Sequence, residues 1–241
     1  MTILTVQTLI GVIDLTDLSD QCSEATIAAL CKKAMAQPVK PAALCLWPQY
    51  VGVAQRAIGQ AIPVATVINF PKGGDDIEFV LTDLDEAIGD GADEIDLVFP
   101  WRAFLAGDTT LASDMVEAAK ERCGSRPLKV ILETGALPDD ASVRAASLCA
   151  LKAGADFLKT STGKIDIGAT EVAARAMLET IRDNGNRAGF KASGGIRSFE
   201  QAKLYHDLFE TICGEPATKA RFRIGASALY DQLIDGSDAA A

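Results

Sequence analysis

The chain has 241 residues, of which 49% are hydrophobic, and this length and apolar content suit one large folded domain and exclude a disordered chain. Its net charge of −10 disfavours a nucleic-acid partner. The six cysteines are scattered without a CxxC pair and there is a single histidine, so we expect no metal site, no cofactor and reduced thiols.

The N-terminal residues 1–15 are apolar but lack the basic region of a signal peptide. No run of about 18 apolar residues follows, so we expect no membrane span. These features predict a soluble cytoplasmic protein without a membrane partner, and the sequence leaves open whether it forms a homo-oligomer.

Short β-rich runs alternate with longer amphipathic stretches along the whole chain. No linker interrupts the series, so residues 1–241 are predicted to form one domain. Eight such alternations are typical of a parallel α/β fold of the (β/α)8 TIM-barrel type. A doubly wound open sheet is the alternative, weakened by the absence of a Gly-x-Gly-x-x-Gly turn after the first strand. The predicted strands are residues 10–15, 43–47, 64–70, 94–99, 129–133, 157–160, 189–192 and 223–226, and the helices include 23–36, 75–88, 113–122, 140–153, 169–182 and 198–208.

A polar or reactive residue stands near the carboxyl end of every predicted strand. In a barrel these ends converge on one face, where catalytic groups lie. Any one of them could be an ordinary strand-end residue, but a complete set of eight indicates an active site. They are Asp14, Cys45, Asn69, Asp96, Glu133, Lys159, Lys191 and Ser227.

A weak internal repeat relates two of these positions. Asp96 and Lys159 each lie five residues after the glycine of a Gly-Ala-Asp sequence. If their strands are the fourth and sixth, both side chains belong to one layer of the barrel interior. The pair would then be either a structural ion pair or an acid/base partnership.

Lys159 is the candidate nucleophile. A free lysine has a pKa of about 10.4 and attacks a carbonyl only when that pKa is lowered by burial or by a second cation. Lys191 would be that cation if the sixth and seventh strands are neighbours. The alternative is that both lysines form buried salt bridges with Asp96, Asp14 or Glu133.

Three glycine-containing loops predict a phosphate site after strands 6, 7 and 8. Glycines let backbone N–H groups approach an anion, and barrels often hold phosphate after strands 7 and 8. Residues 151–241 are neutral overall although the chain is acidic, which favours an anionic small-molecule substrate there. Ordinary βα turns would also contain glycine. The loop residues are Thr162, Gly163, Lys164, Ser193, Gly194, Gly195, Arg197, Gly225 and Ser227.

At these positions the sequence closely resembles the deoxyribose-phosphate aldolase family over nearly its whole length. The most specific motifs are Phe-Leu-Lys-Thr-Ser-Thr-Gly at 157–163 and Lys-Ala-Ser-Gly-Gly at 191–195. The resemblance implies a (β/α)8 class I aldolase that reversibly cleaves 2-deoxy-D-ribose 5-phosphate to acetaldehyde and D-glyceraldehyde 3-phosphate. It also implies that Lys159 forms the Schiff base, Lys191 lowers the pKa of Lys159 and Asp96 relays protons. Substrate contacts are implied for Asp14, Thr16, Cys45 and Thr162.

Two departures from the family pattern concern substrate preference. Ala228 replaces a second hydroxyl residue after strand 8, and the chain ends without the tyrosine found in some members. Other hypotheses remain open: a Schiff-base aldolase with a different aldehyde substrate, a phosphosugar isomerase using Glu133 or Asp96 as base, or a non-catalytic phosphate-binding protein.

Overall fold

Eight parallel strands form a closed barrel in the computed structural model, which describes residues 4–185 and 187–238. Each strand pairs with the next along the chain, and β8 pairs with β1, so the open-sheet alternative is wrong. The strands are β1 (Ile13–Asp17), β2 (Ala43–Leu46), β3 (Val64–Ile68), β4 (Glu94–Val98), β5 (Leu128–Ile131), β6 (Phe157–Lys159), β7 (Gly189–Ser193) and β8 (Phe222–Ala226).

Helices connect and cover the strands. They are α1 (Val6–Ile10), α2 (Glu24–Ala36), α3 (Val51–Ile58), α4 (Ile77–Gly89), α5 (Trp101–Leu105), α6 (Thr109–Cys123), α7 (Asp140–Lys152), α8 (Glu171–Asp183), α9 (Phe199–Cys213) and α10 (Ala228–Asp238). Two short 3₁₀ turns, Pro48–Tyr50 and Thr134–Ala136, follow β2 and β5. Within these described ranges no helix is long and apolar enough to cross a membrane.

Polar caps fix where the long helices begin. The hydroxyl of Ser23 accepts the amide of Thr26 at the start of α2, and Ser198 accepts that of Gln201 at the start of α9. Asp76, Asp139 and Thr170 cap α4, α7 and α8 in the same way. Each cap accepts a hydrogen bond from an amide that has no partner inside the helix, and this stabilises the helix by about 1 kcal/mol. The helix starts are therefore local properties of the sequence.

The hydrophobic core lies between the strands and the helices. Outward-facing strand residues such as Leu15, Leu44 and Leu158 are fully buried against the helical layer. This is the usual arrangement of a parallel sheet covered by helices. The barrel interior differs, because several inward positions carry charged side chains.

Strand boundaries differ from prediction where local geometry ends a strand early. Residue 10 belongs to α1, and Gly11 caps that helix before β1 starts at Ile13. Asn69 has a left-handed backbone with φ of 57°, so β3 ends at Ile68 and does not reach residue 70. Glu133 is also left-handed, with φ of 54°, and lies outside β5. Helices α1, α3, α5 and α10 lie outside the helical stretches named from the sequence.

Candidate active site

The strand register brings the two predicted lysines together. Lys159 on β6 is directly paired with Lys191 on β7. Allowing for the stagger of about one residue per strand in such a barrel, Asp96 and Lys159 lie in one interior layer. The predicted meeting of acid and lysine is confirmed, since Lys159 Nζ lies 2.8 Å from Asp96 Oδ2.

Asp96 is the centre of a buried ion cluster. Its Oδ2 atom accepts from both Lys159 at 2.8 Å and Lys191 at 2.7 Å, while Oδ1 accepts from Lys129 at 2.8 Å. Lys191 also donates to Asp14 Oδ2 at 2.5 Å. The buried salt bridges considered from the sequence therefore exist for Asp96 and Asp14.

A second level of the cluster lies below, and sequence reasoning missed it. Arg223 on β8 donates to Glu94 on β4 at 2.9 Å and to Asp14 at 2.5 Å. Lys129 on β5 lies 2.6 Å from Glu94. Lys129 and Arg223 were placed at the first residue of their predicted strands, where a charge resembles a solvated end. In the structure Lys129 is paired with Asp96 and Arg223 with Lys191, so both side chains point into the barrel.

Electrostatics keep most members of the cluster charged. Burial would raise the pKa of Asp96, but Lys129, Lys159 and Lys191 outweigh it and hold that pKa well below its ordinary value. Burial likewise opposes ionisation of Asp14, whose pKa is nevertheless lowered by Lys191 and Arg223. Burial would lower the pKa of Lys191, yet Asp14 and Asp96 raise it above its usual range. Lys191 is therefore a fixed positive charge.

The cluster contains more bases than acids. Lys129, Lys159, Lys191 and Arg223 face the three carboxylates Asp14, Glu94 and Asp96. Lys159 is bonded to one carboxylate, whereas each of the other bases contacts at least two. Lys159 is therefore the base of this cluster with the fewest ion pairs.

Lys159 is also the member of the cluster that reaches an open cleft. The cleft has a volume of about 590 Å³, and Lys159 is 3% exposed while Lys191 and Asp96 are fully buried. The wall includes the predicted loop residues Thr162, Gly163, Lys164, Gly194, Gly195, Gly225 and Ser227, together with Thr16, Ser193 and Arg197. An amine therefore lies at the floor of a cleft beside glycine-rich loops.

The loops present free backbone N–H groups. The amides of Gly163, Gly194, Gly195 and Ser227 donate to no acceptor within the part of the chain that the structure describes. Gly194 and Gly195 have φ of 88° and 83°, conformations that favour glycine. A Cβ on Gly168 would lie 2.3 Å from the Gly194 oxygen, so glycine there lets the two loops touch. This arrangement can bind an anion.

Cationic side chains stand around the same cleft. Lys164 is 3.5 Å from the exposed Asp20 and lies over the Trp47 ring, while Lys33 of α2 is bonded to Asp231 of α10 at 2.8 Å. Arg197 adds a third cation to the lining. These exposed ion pairs are weak, so an anionic ligand can compete for the lysines.

The remaining predicted positions have different surroundings. Thr16 lines the cleft, but both oxygens of Asp14 are held in ion pairs. Cys45 is buried 3.9 Å from Asp96 within an apolar cluster, is not part of the cleft wall, and has a pKa raised by burial. Glu133 bonds to Thr162, and Asn69 bonds to its own loop through Gly74.

The described residues contain no group of three or more His, Cys, Asp or Glu side chains arranged to hold a metal ion. The single histidine, His206, is buried on α9 beside Asp207 and Phe222. It belongs to the outer helical layer and lies outside the cleft. The chemistry available at the cleft floor is that of a lysine amine beside an ionised carboxylate.

Comparison with known proteins agrees with this geometry. The family described as DeoC/LacD family aldolase matches residues 8–213. A curated deoxyribose-phosphate aldolase of Agrobacterium fabrum is 46% identical over 230 residues, covering 94% of this chain and 89% of the relative. The structure of a deoxyribose phosphate aldolase from Aeropyrum pernix, described as tetrameric, superposes with a TM-score of 0.77 at 27% identity, covering 98% of this chain and 93% of that one. A structure described as QR15, an aldolase, gives a TM-score of 0.82 at 26% identity over 97% and 99%. The chain belongs to the DeoC/LacD family of aldolases.

Proposed function

We propose that this aldolase reversibly cleaves 2-deoxy-D-ribose 5-phosphate to acetaldehyde and D-glyceraldehyde 3-phosphate through a Schiff base on Lys159. The observation that supports this most directly is the position of Lys159. Its amine is bonded to one carboxylate of a cluster with a surplus base, and it is the cluster member that reaches the glycine-lined cleft. The 46% identical relative is itself named a deoxyribose-phosphate aldolase.

The reaction begins when the neutral Lys159 amine attacks the C1 aldehyde. Loss of water from the carbinolamine gives a protonated imine, which withdraws electrons from the bond between C2 and C3. As that bond breaks, the C3 hydroxyl loses its proton and becomes the aldehyde of glyceraldehyde 3-phosphate. The electron pair forms an enamine on the two-carbon fragment. Protonation of that enamine and hydrolysis of the imine release acetaldehyde and regenerate Lys159.

Asp96 and Lys191 support these steps from beneath. Asp96 Oδ2 touches both ammonium groups and can exchange protons with the reacting centre through Lys159 or water. Lys191 stays protonated because Asp14 and Asp96 raise its pKa. Its charge opposes the ion pair between Lys159 and the same carboxylate oxygen, which favours release of the Lys159 amine toward the substrate.

The glycine loops are proposed to hold the substrate phosphate. The amides of Gly163, Gly194, Gly195 and Ser227 form the cradle, and Gly225 leaves space beside it. Lys164 supplies charge. Thr16 and Thr162 are proposed to contact sugar hydroxyls. The proposed contacts of Asp14 and Cys45 with substrate have weaker support, because Asp14 is bound to two cations and Cys45 lies outside the cleft wall.

Borohydride reduction with substrate tests the Schiff base. We expect mass spectrometry to locate a stable two-carbon adduct on Lys159 after reduction with acetaldehyde, and Lys159→Ala to lose both the adduct and cleavage. Lys164→Ala should keep the adduct, because Lys164 lies outside the ion cluster. Cleavage by Lys159→Ala at the normal rate, or full activity without any adduct, would rule out the mechanism and favour an isomerase-like base.

We also propose that the protein works in the cytoplasm as a homo-oligomer. The six thiols are free, and the Aeropyrum pernix relative is described as tetrameric. Light scattering coupled to size exclusion measures the mass in solution. A mass of 25.4 kDa would show a monomer.

A further inference from the structure

Glu133 is a buried carboxylate to which the aldol mechanism assigns no role. It follows β5, is 1% exposed, and has a left-handed backbone with φ of 54° and ψ of 56°. A non-glycine residue in this conformation costs about 1 kcal/mol or more, so surrounding contacts must hold it. No lysine, arginine or histidine of the described chain lies within salt-bridge distance of its carboxylate, in contrast to Asp96.

Both carboxylate oxygens of Glu133 are bound to one residue of the cleft wall. The Thr162 amide donates to Oε1 at 3.1 Å, and the Thr162 hydroxyl donates to Oε2 at 2.5 Å. Because the Thr162 hydroxyl is the donor in this bond, its proton is committed to Glu133. The Lys164 amide in turn donates to Thr162 Oγ1 at 3.0 Å.

This arrangement sets the hydrogen-bond polarity of Thr162. A hydroxyl has one proton and two lone pairs. The proton points to Glu133 and one lone pair accepts the Lys164 amide, which leaves one lone pair for a ligand. The Thr162 amide donates to Glu133 and the Lys164 amide to Thr162, so Gly163 carries the free amide of these three residues. Thr162 can therefore accept a hydrogen bond from substrate but cannot donate one.

We infer that Glu133 is a positioning residue that fixes Thr162 as an acceptor and thereby selects substrates with a hydroxyl group at that point of the cleft. The inference rests on the proposed binding of a phosphorylated sugar between Lys159 and the glycine loops. Glu133 acts through Thr162 and does not line the cleft. An aldehyde that offers a carbonyl or a methyl group there would leave this acceptor unpaired, which reduces binding.

Glu133→Gln inverts this polarity with little change in shape. The amide oxygen of Gln can accept the Thr162 amide, while its NH₂ group donates to Thr162 Oγ1 and fills the second lone pair. The threonine proton is then released toward the cleft. We expect KM for 2-deoxy-D-ribose 5-phosphate to rise about tenfold, in line with loss of one hydrogen bond to a hydroxyl, with kcat within about twofold.

Thr162→Val tests the same bond from the other side and does not depend on how Glu133→Gln folds. It should raise KM by a similar factor, the double variant should be no worse than either single one, and Thr162→Ser should retain the normal KM. An unchanged KM in Thr162→Val, or multiplicative effects in the double variant, would overturn the inference.

Trapping with acetaldehyde separates this inference from the Schiff-base proposal. Acetaldehyde has no hydroxyl group, so its borohydride adduct on Lys159 should form at the same rate in Glu133→Gln. Failure of the unaltered protein to form an adduct would refute the Schiff base. An equal slowing of acetaldehyde trapping and of sugar cleavage in Glu133→Gln would refute the positioning role of Glu133.

Discussion

Lys191→Met should slow imine formation on Lys159. The substitution removes a fixed positive charge that shares Asp96 Oδ2 with Lys159. Without it, the attraction between Lys159 and Asp96 is no longer opposed by a neighbouring cation. The Lys159 amine must leave this ion pair to attack an aldehyde, so a stronger pair slows the attack.

The geometry gives the size of this effect. The two ammonium nitrogens lie 2.8 and 2.7 Å from one oxygen, so they are at most about 5.5 Å apart. Two unit charges at this distance repel by about 3 kcal/mol at an effective dielectric constant of about 20. Because about 1.4 kcal/mol corresponds to a factor of ten in rate, imine formation should slow about a hundredfold.

The assay is the initial rate of borohydride-trapped acetaldehyde adduct on Lys159, measured at pH 7 and divided by the folded fraction. Lys191→Arg is the matched control, because it keeps the charge and should leave the rate nearly unchanged. Lys191→Met leaves Asp14 with Arg223 and Asp96 with Lys129, so both carboxylates retain a partner. A rate that stays constant or rises in Lys191→Met would refute the electrostatic role.

Three further predictions follow from the same geometry. Gly225→Ala places a Cβ 3.0 Å from Ser193 Cβ and 3.2 Å from Lys191 Cε, so turnover should fall about tenfold. The control is Gly89→Ala, whose Cβ meets no atom within 4 Å beyond its own stretch of helix, and it should leave turnover unchanged. Asp14→Asn should lower the free energy of unfolding by about 3 kcal/mol at pH 7, because it removes one partner of a buried ion pair. The pKa of Asp14 is depressed in the native state, so its stabilisation is full above the unfolded pKa of about 3.9 and is lost as pH falls further. Urea unfolding should therefore show a smaller stability difference between Asp14→Asn and the unaltered protein at pH 3 than at pH 7. Lys33→Met should raise KM about threefold for the phosphorylated sugar and leave KM for 2-deoxyribose unchanged, as expected for one exposed ion pair between Lys33 and the phosphate. Equal effects on both sugars would place Lys33 outside the phosphate site.

The sequence predicted the parts of the fold that depend on local signals. Apolar runs located all eight strands, and serine, threonine and aspartate caps located the starts of several helices. The strand ends were harder to predict, since Asn69 and Glu133 leave their strands through left-handed backbones that no local pattern indicates. Helix α3 was not named from the sequence, although its buried residues Val51, Ala54 and Ile58 follow a helical period.

The sequence predicted the candidate-site residues only as far as it predicted the strands that carry them. The Gly-Ala-Asp repeat fixed the relative level of Asp96 and Lys159, because side-chain direction in a strand alternates with every residue. Lys129 and Arg223 could not be assigned to the interior, since an error of one residue in a strand boundary made each resemble a solvated end. Glu94 could likewise be assigned to the interior only from its ion pair with the Arg223 side chain in the structure.

The second level of the cluster, which the sequence did not predict, explains how Lys159 and Lys191 can both be buried beside Asp96. A lysine pair over a single carboxylate would be costly to bury, because each unpaired charge loses its hydration. Arg223 and Glu94 bind one another and hold Asp14 and Lys129 from below, so the two fixed cations, Lys129 and Lys191, are each shared between carboxylates. The surplus base is then left at the top of the cluster, beside the cleft. A buried network of this kind contributes less to stability than an apolar interior would, and the outer layer of apolar strand faces packed on helices must supply it. The barrel interior is therefore organised to place one weakly paired lysine amine at its mouth.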